Sequence, residues 1–238
     1  YLLLSEAQSG AGQKNNAIST LEKAIKLNEK NIEAYARLAD LYQKSGLEDK
    51  AKKTYETLLN LSPNDPQVYL ALGQYSLKSK KYSDALNNFE KSNSLRRSAS
   101  ASEGLAIAAF NLGKNDKARE AAKAAISMDA GAWDARVLLA SVLMKGKDYK
   151  AAQEHLEYMV RKESYNMEYL QQLATCYLQN NEKEKLKELD KRITVLDKSN
   201  TESRLRLARA ADASNDIESA LTYYKELSIL TPKAPDIF

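Results

Sequence analysis

The stretch VYLALGQYSLKSKKYSDALNNFEK, residues 68–91, decides the fold of this chain. Tyr69, Leu72 and Ser76 stand at positions i, i+3 and i+7, the spacing of side chains on one face of an α-helix. A lysine-rich turn follows, and a second apolar stripe of helical period begins at Ala85. The stretch therefore predicts two short helices joined by a turn.

The same helix–turn–helix pattern recurs along the whole chain with a period of 34 residues, shortened once to 33. A leucine marks each first helix, a small residue follows it, and a second column, mostly alanine, lies 13 residues farther on. Two columns that keep register over seven units indicate a solenoid of stacked repeats. The leucine column is Leu4, Leu38, Leu72, Leu105, Leu139, Leu173 and Leu207, and the second column is Ala17, Ala51, Ala85, Ala118, Ala152, Leu186 and Ala220.

Composition agrees with an all-α protein. Hydrophobic residues make up 43% and charged residues 29% of the chain, which is typical of a folded protein rather than a disordered one. Only 4 prolines and 8 glycines in 238 residues leave too little turn chemistry for an all-β fold. The small residue after each leucine lets paired helices approach. A bulkier side chain in the alanine column would overpack the junction, at a cost of roughly 1–3 kcal/mol.

The joint pattern resembles the tetratricopeptide repeat (TPR), whose signature combines Trp/Tyr, Leu-Gly, Tyr, Ala, Phe/Tyr, Ala and Pro in each repeat. The resemblance covers essentially the whole chain. It implies an all-α, right-handed superhelical α-solenoid of antiparallel helix pairs, in a family that binds protein segments in a concave groove. The second repeat carries Tyr35, Leu38, Ala39, Tyr42, Ala51, Tyr55, Leu58 and Pro63.

We predict a single array of about seven repeats. The fourth has Ser102 and Ala122, and the sixth has Leu186 and Asp190, at positions where the family pattern differs, so we expect irregular packing there without a break. Neither end has a polar capping face, which predicts a fragment of a longer array. Turns within repeats are predicted at Gly12, Gly46, Gly113, Gly146, Asn181 and Asn215. The predicted repeats span residues 1–31, 32–65, 66–98, 99–132, 133–166, 167–200 and 201–234, and an eighth begins at 235–238.

No catalytic, metal or cofactor site is predicted. The sequence lacks a nucleophile elbow, a phosphate loop and an HExxH motif, and Gly10-Ala-Gly12 falls at a helix–helix turn rather than after a strand. One histidine, His155, and one cysteine, Cys176, are too few for a nitrogen–sulfur metal site. We interpret His155 as a helix-surface residue and Cys176 as a buried structural residue. A net charge of +4, interspersed along the chain, gives no electrostatic footprint for nucleic acid.

A second stripe on the first helices, offset by one residue from the core stripe, corresponds to the face that lines the groove in TPR proteins. In this chain the stripe is apolar in its middle repeats and polar toward its ends. Asp40 and Gln43 belong to it in the second repeat, and Glu103 is its first residue in the fourth repeat. Lys44, Lys78 and Lys145 recur one residue past the stripe. We interpret them as a solvated helix edge, and contact with an acidic partner is the alternative. No repeat supplies the Lys–Asn pair with which some TPR co-chaperones grip a carboxylate. The predicted peptide-binding residues are Leu70, Gln74, Leu77, Ile107, Phe110, Val137, Ser141, Met144, Gln171, Thr175 and Leu178.

These observations predict a non-enzymatic scaffold that binds a partner protein segment in the groove and uses no cofactor. One alternative is a TPR region that recruits substrates for a larger enzyme, such as a glycosyltransferase, whose catalytic domain lies outside this sequence. Self-association is another. The groove is alternatively filled by closure of repeats four to six or by an adjoining part of the protein. No apolar run approaches the ~18 residues of a membrane span. The single cysteine does not distinguish a cytoplasmic from a periplasmic protein.

Overall fold

The computed structural model describes residues 1–232, and within that range it contains fourteen α-helices and no strand. The all-α class predicted from the sequence is therefore confirmed. The predicted start of an eighth repeat, at residues 235–238, lies outside the described residues. The helices are α1 (Leu2–Gly10), α2 (Lys14–Leu27), α3 (Ile32–Lys44), α4 (Glu48–Leu61), α5 (Pro66–Lys78), α6 (Tyr82–Leu95), α7 (Ala99–Asn111), α8 (Asn115–Met128), α9 (Trp133–Lys145), α10 (Tyr149–Lys162), α11 (Met167–Gln179), α12 (Lys183–Leu196), α13 (Thr201–Ala213) and α14 (Ile217–Leu230).

The helices form two compact units, one spanning Tyr1–Leu138 and the other beginning at Leu139, so the boundary falls inside α9. In the first unit each helix from α1 to α8 packs against the next, and α3, α5 and α7 also lie side by side. In the second unit α10 to α14 pack in the same successive manner. Contacts made mainly between neighbours in the sequence are typical of a solenoid.

Short polar side chains fix where several first helices begin. The Asn31 side-chain oxygen accepts a hydrogen bond from the Ala34 backbone N–H at 3.0 Å, and the Ser98 hydroxyl accepts one from the Ala101 N–H at 3.2 Å. Each bond satisfies a backbone donor that has no partner within its own helix. Because these caps follow the sequence period, they start α3 and α7 in the same register. Asp65, Asn166 and Asn200 cap α5, α11 and α13 in the same way.

The turn inside each repeat contains one residue with a left-handed backbone. Gly113 holds this conformation at φ 73°, which glycine adopts readily because it has no Cβ atom. Gly146, predicted to mark a turn, does lie in one, but the left-handed residue is its neighbour Lys147, at φ 60°. Lysine therefore occupies a position that favours glycine. The left-handed residues are Gly12, Gly46, Lys80, Gly113, Lys147, Asn181 and Asn215.

We expect Lys147→Gly to stabilise the chain by about 1 kcal/mol, because the left-handed conformation costs a residue with a Cβ atom roughly that much. Urea unfolding followed by circular dichroism measures the change. Lys145→Gly, in the last turn of α9, is the matched control and should destabilise the chain. A Lys147→Gly variant no more stable than the parent would contradict the expectation.

Both sequence columns contribute to the core. The alanine column is buried throughout, except at Leu186, which is half-buried. In the leucine column Leu72 and Leu105 are half-buried and Leu4 is exposed, whereas the other four members are buried. Burial of a leucine contributes roughly 1.5–3 kcal/mol, so the four buried leucines are a substantial part of what holds successive helices together.

A single ring sets the spacing of α5 and α7 in the first unit. Phe89, on α6, is 0% exposed, and its ring faces Gly73 on α5 and Gly104 on α7. A Cβ atom at Gly73 would lie 2.6 Å from the ring, and one at Gly104 would lie closer still. The close approach predicted at the small residue after Leu72 is therefore present. Gly104 is a second such position, which the column pattern does not reveal.

We expect Gly104→Ala to lower the free energy of unfolding by about 1–3 kcal/mol, because the added methyl group overpacks the Phe89 ring. Adding Phe89→Leu to Gly104→Ala should recover part of the loss, and chemical denaturation of the single and double variants measures it. Gly10→Ala is the control, since no atom apart from those of its chain neighbours and its own helix backbone lies within 4 Å of a Cβ placed there. Unchanged stability of Gly104→Ala would disprove the tight packing.

In the second unit, a charged residue, Asp190, occupies the repeat position that Phe89 occupies in the first unit. Asp190, on α12, is 1% exposed, and its carboxylate accepts hydrogen bonds from Nε and Nη2 of Arg206, on α13, at 2.8 and 2.6 Å. Arg206 also pairs with Glu202. A bidentate guanidinium partner satisfies the buried carboxylate. Asp190 is one of the two residues at which the sixth repeat departs from the family pattern.

Removal of one partner from this buried pair should be costly. We expect Asp190→Ala to destabilise the chain by about 3 kcal/mol, because it removes the buried carboxylate and leaves the Arg206 guanidinium with only Glu202 and Ser203 as partners. Replacing both partners, as Asp190→Leu with Arg206→Met, should restore stability close to that of the parent. Thermal and urea unfolding of both variants measure the difference. A double variant as unstable as Asp190→Ala would indicate that the pair is needed for more than charge balance.

Matching side-chain triads link three successive helices, one triad in each unit. In the first, the Tyr42 hydroxyl on α3 donates to Glu22 on α2 at 2.9 Å, and Lys50 on α4 lies 5.5 Å from the Tyr42 ring centroid. Burial and the Glu22 hydrogen bond raise the pKa of Tyr42 to about 12. The same sequence spacing recurs in the second unit, where the triad is Glu157, Tyr177 and Lys185.

Candidate partner-binding face

The eleven residues predicted to line a groove all lie on first helices, on α5, α7, α9 and α11. Four are exposed, seven are half-buried and none is buried. Leu70 through Val137 belong to the first unit, and Ser141 through Leu178 belong to the second. Their role in binding stays a prediction.

In the first unit, the neighbouring helices α5 and α7 carry four half-buried apolar side chains and one exposed amide. Leu70, Gln74 and Leu77 occur at i, i+4 and i+7 on α5, so they share one side of that helix. Half-burial keeps part of each apolar side chain on the surface. We refer to the set Leu70, Gln74, Leu77, Ile107 and Phe110 as the apolar face.

A set of ion pairs joins α1, α3 and α5 in the same unit. Arg37 on α3 binds Glu6 on α1 at 2.9 Å and Glu33 on its own helix at 2.7 Å. The two carboxylates around one guanidinium leave an excess of negative charge. A cleft of about 380 Å³ opens beside this network, lined in part by Glu6, Arg37, Asp40 and Lys44.

Asp40 on α3 is the centre of a second network with the opposite balance. Its carboxylate binds Lys44, one turn farther along α3, at 2.8 Å, and Lys78, at the end of α5. Burial raises the pKa of Asp40, but the hydrogen bonds from Lys44 and Lys78 lower it below its usual value. Two ammonium groups around one carboxylate leave an excess of positive charge. We call Asp40, Lys44 and Lys78 the lysine pair site.

The lysine pair site differs from the sequence interpretation of Lys44 and Lys78 as a solvated helix edge. Both lysines are half-exposed, yet both converge on Asp40 from different helices. A signal was present in the sequence, since Asp40 and Lys44 have the i, i+4 spacing of a helical ion pair and Lys78 lies one repeat after Lys44. The contact between α3 and α5 was the missing information.

Two other members of the predicted stripe contact neighbouring helices. The Gln43 amide donates to the Tyr75 carbonyl at 3.3 Å and to the Ser79 hydroxyl at 3.1 Å, at the end of α5. The Glu103 carboxylate accepts from the Ala135 backbone N–H at 3.0 Å, near the start of α9. These side chains stabilise helix ends. Their place in the groove lining stays a prediction.

The second-unit residues form a more polar surface. Gln171, Thr175 and Leu178 are exposed along α11, and the Thr175 hydroxyl donates to the Gln171 carbonyl at 3.0 Å. Met144 lies half-buried with its sulfur 3.3 Å from that of Cys176. Cys176 is buried, as predicted, and burial raises the pKa of its thiol to about 11. The thiol is therefore protonated at neutral pH.

Within residues 1–232 no cluster of three or more histidine, cysteine, aspartate or glutamate side chains is arranged to hold a metal ion. No helix in this described range combines the length and the apolar character needed to cross a bilayer.

Paired helices that contact mainly their neighbours along the chain define an α-solenoid. Two tetratricopeptide repeat family models match the chain, over residues 10–75 and 103–184, together more than half of its length. The chain therefore belongs to the tetratricopeptide repeat family. Proteins built from these repeats bind protein or peptide partners, and the fold generally serves as a non-enzymatic scaffold. No curated protein sequence matches the chain.

Solved structures of TPR proteins share this fold. YrrB, described as a TPR protein with an unusual peptide-binding site, is similar with a TM-score of 0.64 at 16% identity, over 77% of this chain and 95% of YrrB. For pilF of Pseudomonas aeruginosa the TM-score is 0.60 at 19% identity, over 98% of this chain and 91% of the other. For PilW, a type IV pilus biogenesis factor, it is 0.58 at 16% identity, over 99% and 94%.

Proposed function

We propose that this chain is a non-enzymatic scaffold that binds a segment of a partner protein across its first helices. The apolar face of the first unit supplies the main contacts. The more polar surface of α11, with Met144 of α9, supplies further contacts in the second unit. The proposed binding residues are the eleven predicted ones: Leu70, Gln74, Leu77, Ile107, Phe110, Val137, Ser141, Met144, Gln171, Thr175 and Leu178.

The observation that supports this proposal most directly is the half-burial of Leu70, Leu77, Ile107 and Phe110 on adjacent helices. Each side chain is anchored on its inner side and keeps apolar surface on its outer side. Apolar surface that is contiguous and surrounded by polar groups is typical of interaction sites. Gln74, exposed among these side chains, offers both a donor and an acceptor to an extended backbone.

Site-specific crosslinking in cells can identify the partner and test the face. A photoreactive amino acid at Gln74 should capture the partner, whereas the same group at Asn60, exposed on α4, should not. The captured protein is then purified and titrated calorimetrically against the parent chain. We expect Ile107→Asp with Phe110→Asp to weaken binding at least about tenfold, since interface anchors contribute roughly 1 kcal/mol or more each.

A matched double variant tests whether weaker partner binding comes from the loss of the apolar face or from the two added negative charges. Leu27→Asp with Met128→Asp replaces two exposed apolar residues, 71% and 43% exposed, on the second helices α2 and α8. It should bind as the parent does, and circular dichroism should show that both double variants keep their helices. Equal binding by the Ile107/Phe110 variant would place the partner elsewhere and contradict the proposal.

A further inference from the structure

The apolar face is continued on one side by charges in a defined order. Lys78 follows Gln74 by one helical turn on α5, so the lysine pair site adjoins the apolar face. The pair site bridges α5 to α3, and the Arg37 network bridges α3 to α1. From α7 toward α1, the first helices of this unit therefore carry the apolar face, then the net positive lysine pair site, and then the net negative Arg37 network.

The ion pairs at the lysine pair site are weak enough to be exchanged. The side chains of Asp40, Lys44 and Lys78 are 32%, 56% and 49% exposed. Exposed pairs of this kind contribute about 0–1 kcal/mol, because water and salt screen them. An incoming carboxylate can therefore displace Asp40 from these two lysines at little cost, and the cleft beside Lys44 gives it room.

We propose that the partner segment combines an apolar stretch, bound on the apolar face, with an acidic side chain bound by Lys44 and Lys78, and that Asp40 is an internal competitor for the same two lysines. This proposal rests on the proposed function above and defines the chemistry of the partner. It differs from capture of a chain-terminal carboxylate by a Lys–Asn pair, because the acid is a side chain and its competitor is built into the fold.

Asp40→Asn is the sharpest variant, because it removes the competing charge and keeps the shape of the side chain. A random peptide library displayed on phage is selected on the parent chain, and the most enriched peptide is synthesised for calorimetry. We expect selected peptides to carry an acidic residue beside an apolar run. The synthetic peptide should bind Asp40→Asn about threefold more tightly than the parent, and Lys78→Gln about threefold more weakly. Raising the NaCl concentration should reduce these differences.

Lys52→Gln is the control for net charge, since Lys52 lies on α4 and is 71% exposed. It should leave peptide affinity unchanged. Enriched peptides with an apolar run but no acid, or equal affinity for the parent and Asp40→Asn, would overturn this inference and leave the proposed function standing. Failure to enrich any peptide would overturn both. Light scattering that shows self-association of the parent, lost in Lys78→Gln, would assign the face to a second copy and also overturn it.

Discussion

The packing of one phenylalanine ring against two glycines determines how closely helices α5 and α7 approach in the first unit. Phe89 reaches from α6 to both α5 and α7, and no side chain longer than hydrogen fits opposite it at Gly73 or Gly104. The ring thereby fixes how closely the two first helices approach. Since Leu70, Leu77, Ile107 and Phe110 lie on those same helices, the core contact also determines the spacing of the apolar side chains on the surface.

The position of Phe89 in its repeat is buried in six successive second helices, although its chemistry changes from repeat to repeat. Tyrosine, phenylalanine, leucine, alanine and aspartate all occur there. Phe89 faces glycines, and Asp190 faces Arg206. At these two positions the following helix compensates for the change, with a glycine opposite the large ring and an arginine opposite the buried charge. The six residues are Leu21, Tyr55, Phe89, Ala122, Leu156 and Asp190.

Much of the fold could be predicted from the sequence, because short-range periodicity decides helices, turns and the small-residue columns. What escaped prediction depends on which helices touch. Asp190 was recognised as irregular, but its partner Arg206 lies 16 residues away on another helix. Lys44 and Lys78 looked like independent surface lysines until the contact of α3 with α5 brought them to Asp40. For the candidate site, the sequence pattern placed the residues on first helices. The chemistry of a ligand could be inferred only once the structure showed which charged side chains pair between helices.

The Glu–Tyr–Lys triads bear on how such a chain comes apart. Each triad ties a second helix to both helices of the following repeat, in α2–α3–α4 and again in α10–α11–α12. A repeat held in this way cannot fray without uncovering the tyrosine of its neighbour, so adjacent repeats open as one cooperative block. Since every contact of this type is between nearest neighbours, thermal fluctuations should spread along the sequence in steps of whole repeats. Within each unit, the triad therefore couples the local melting of a second helix to that of the following repeat.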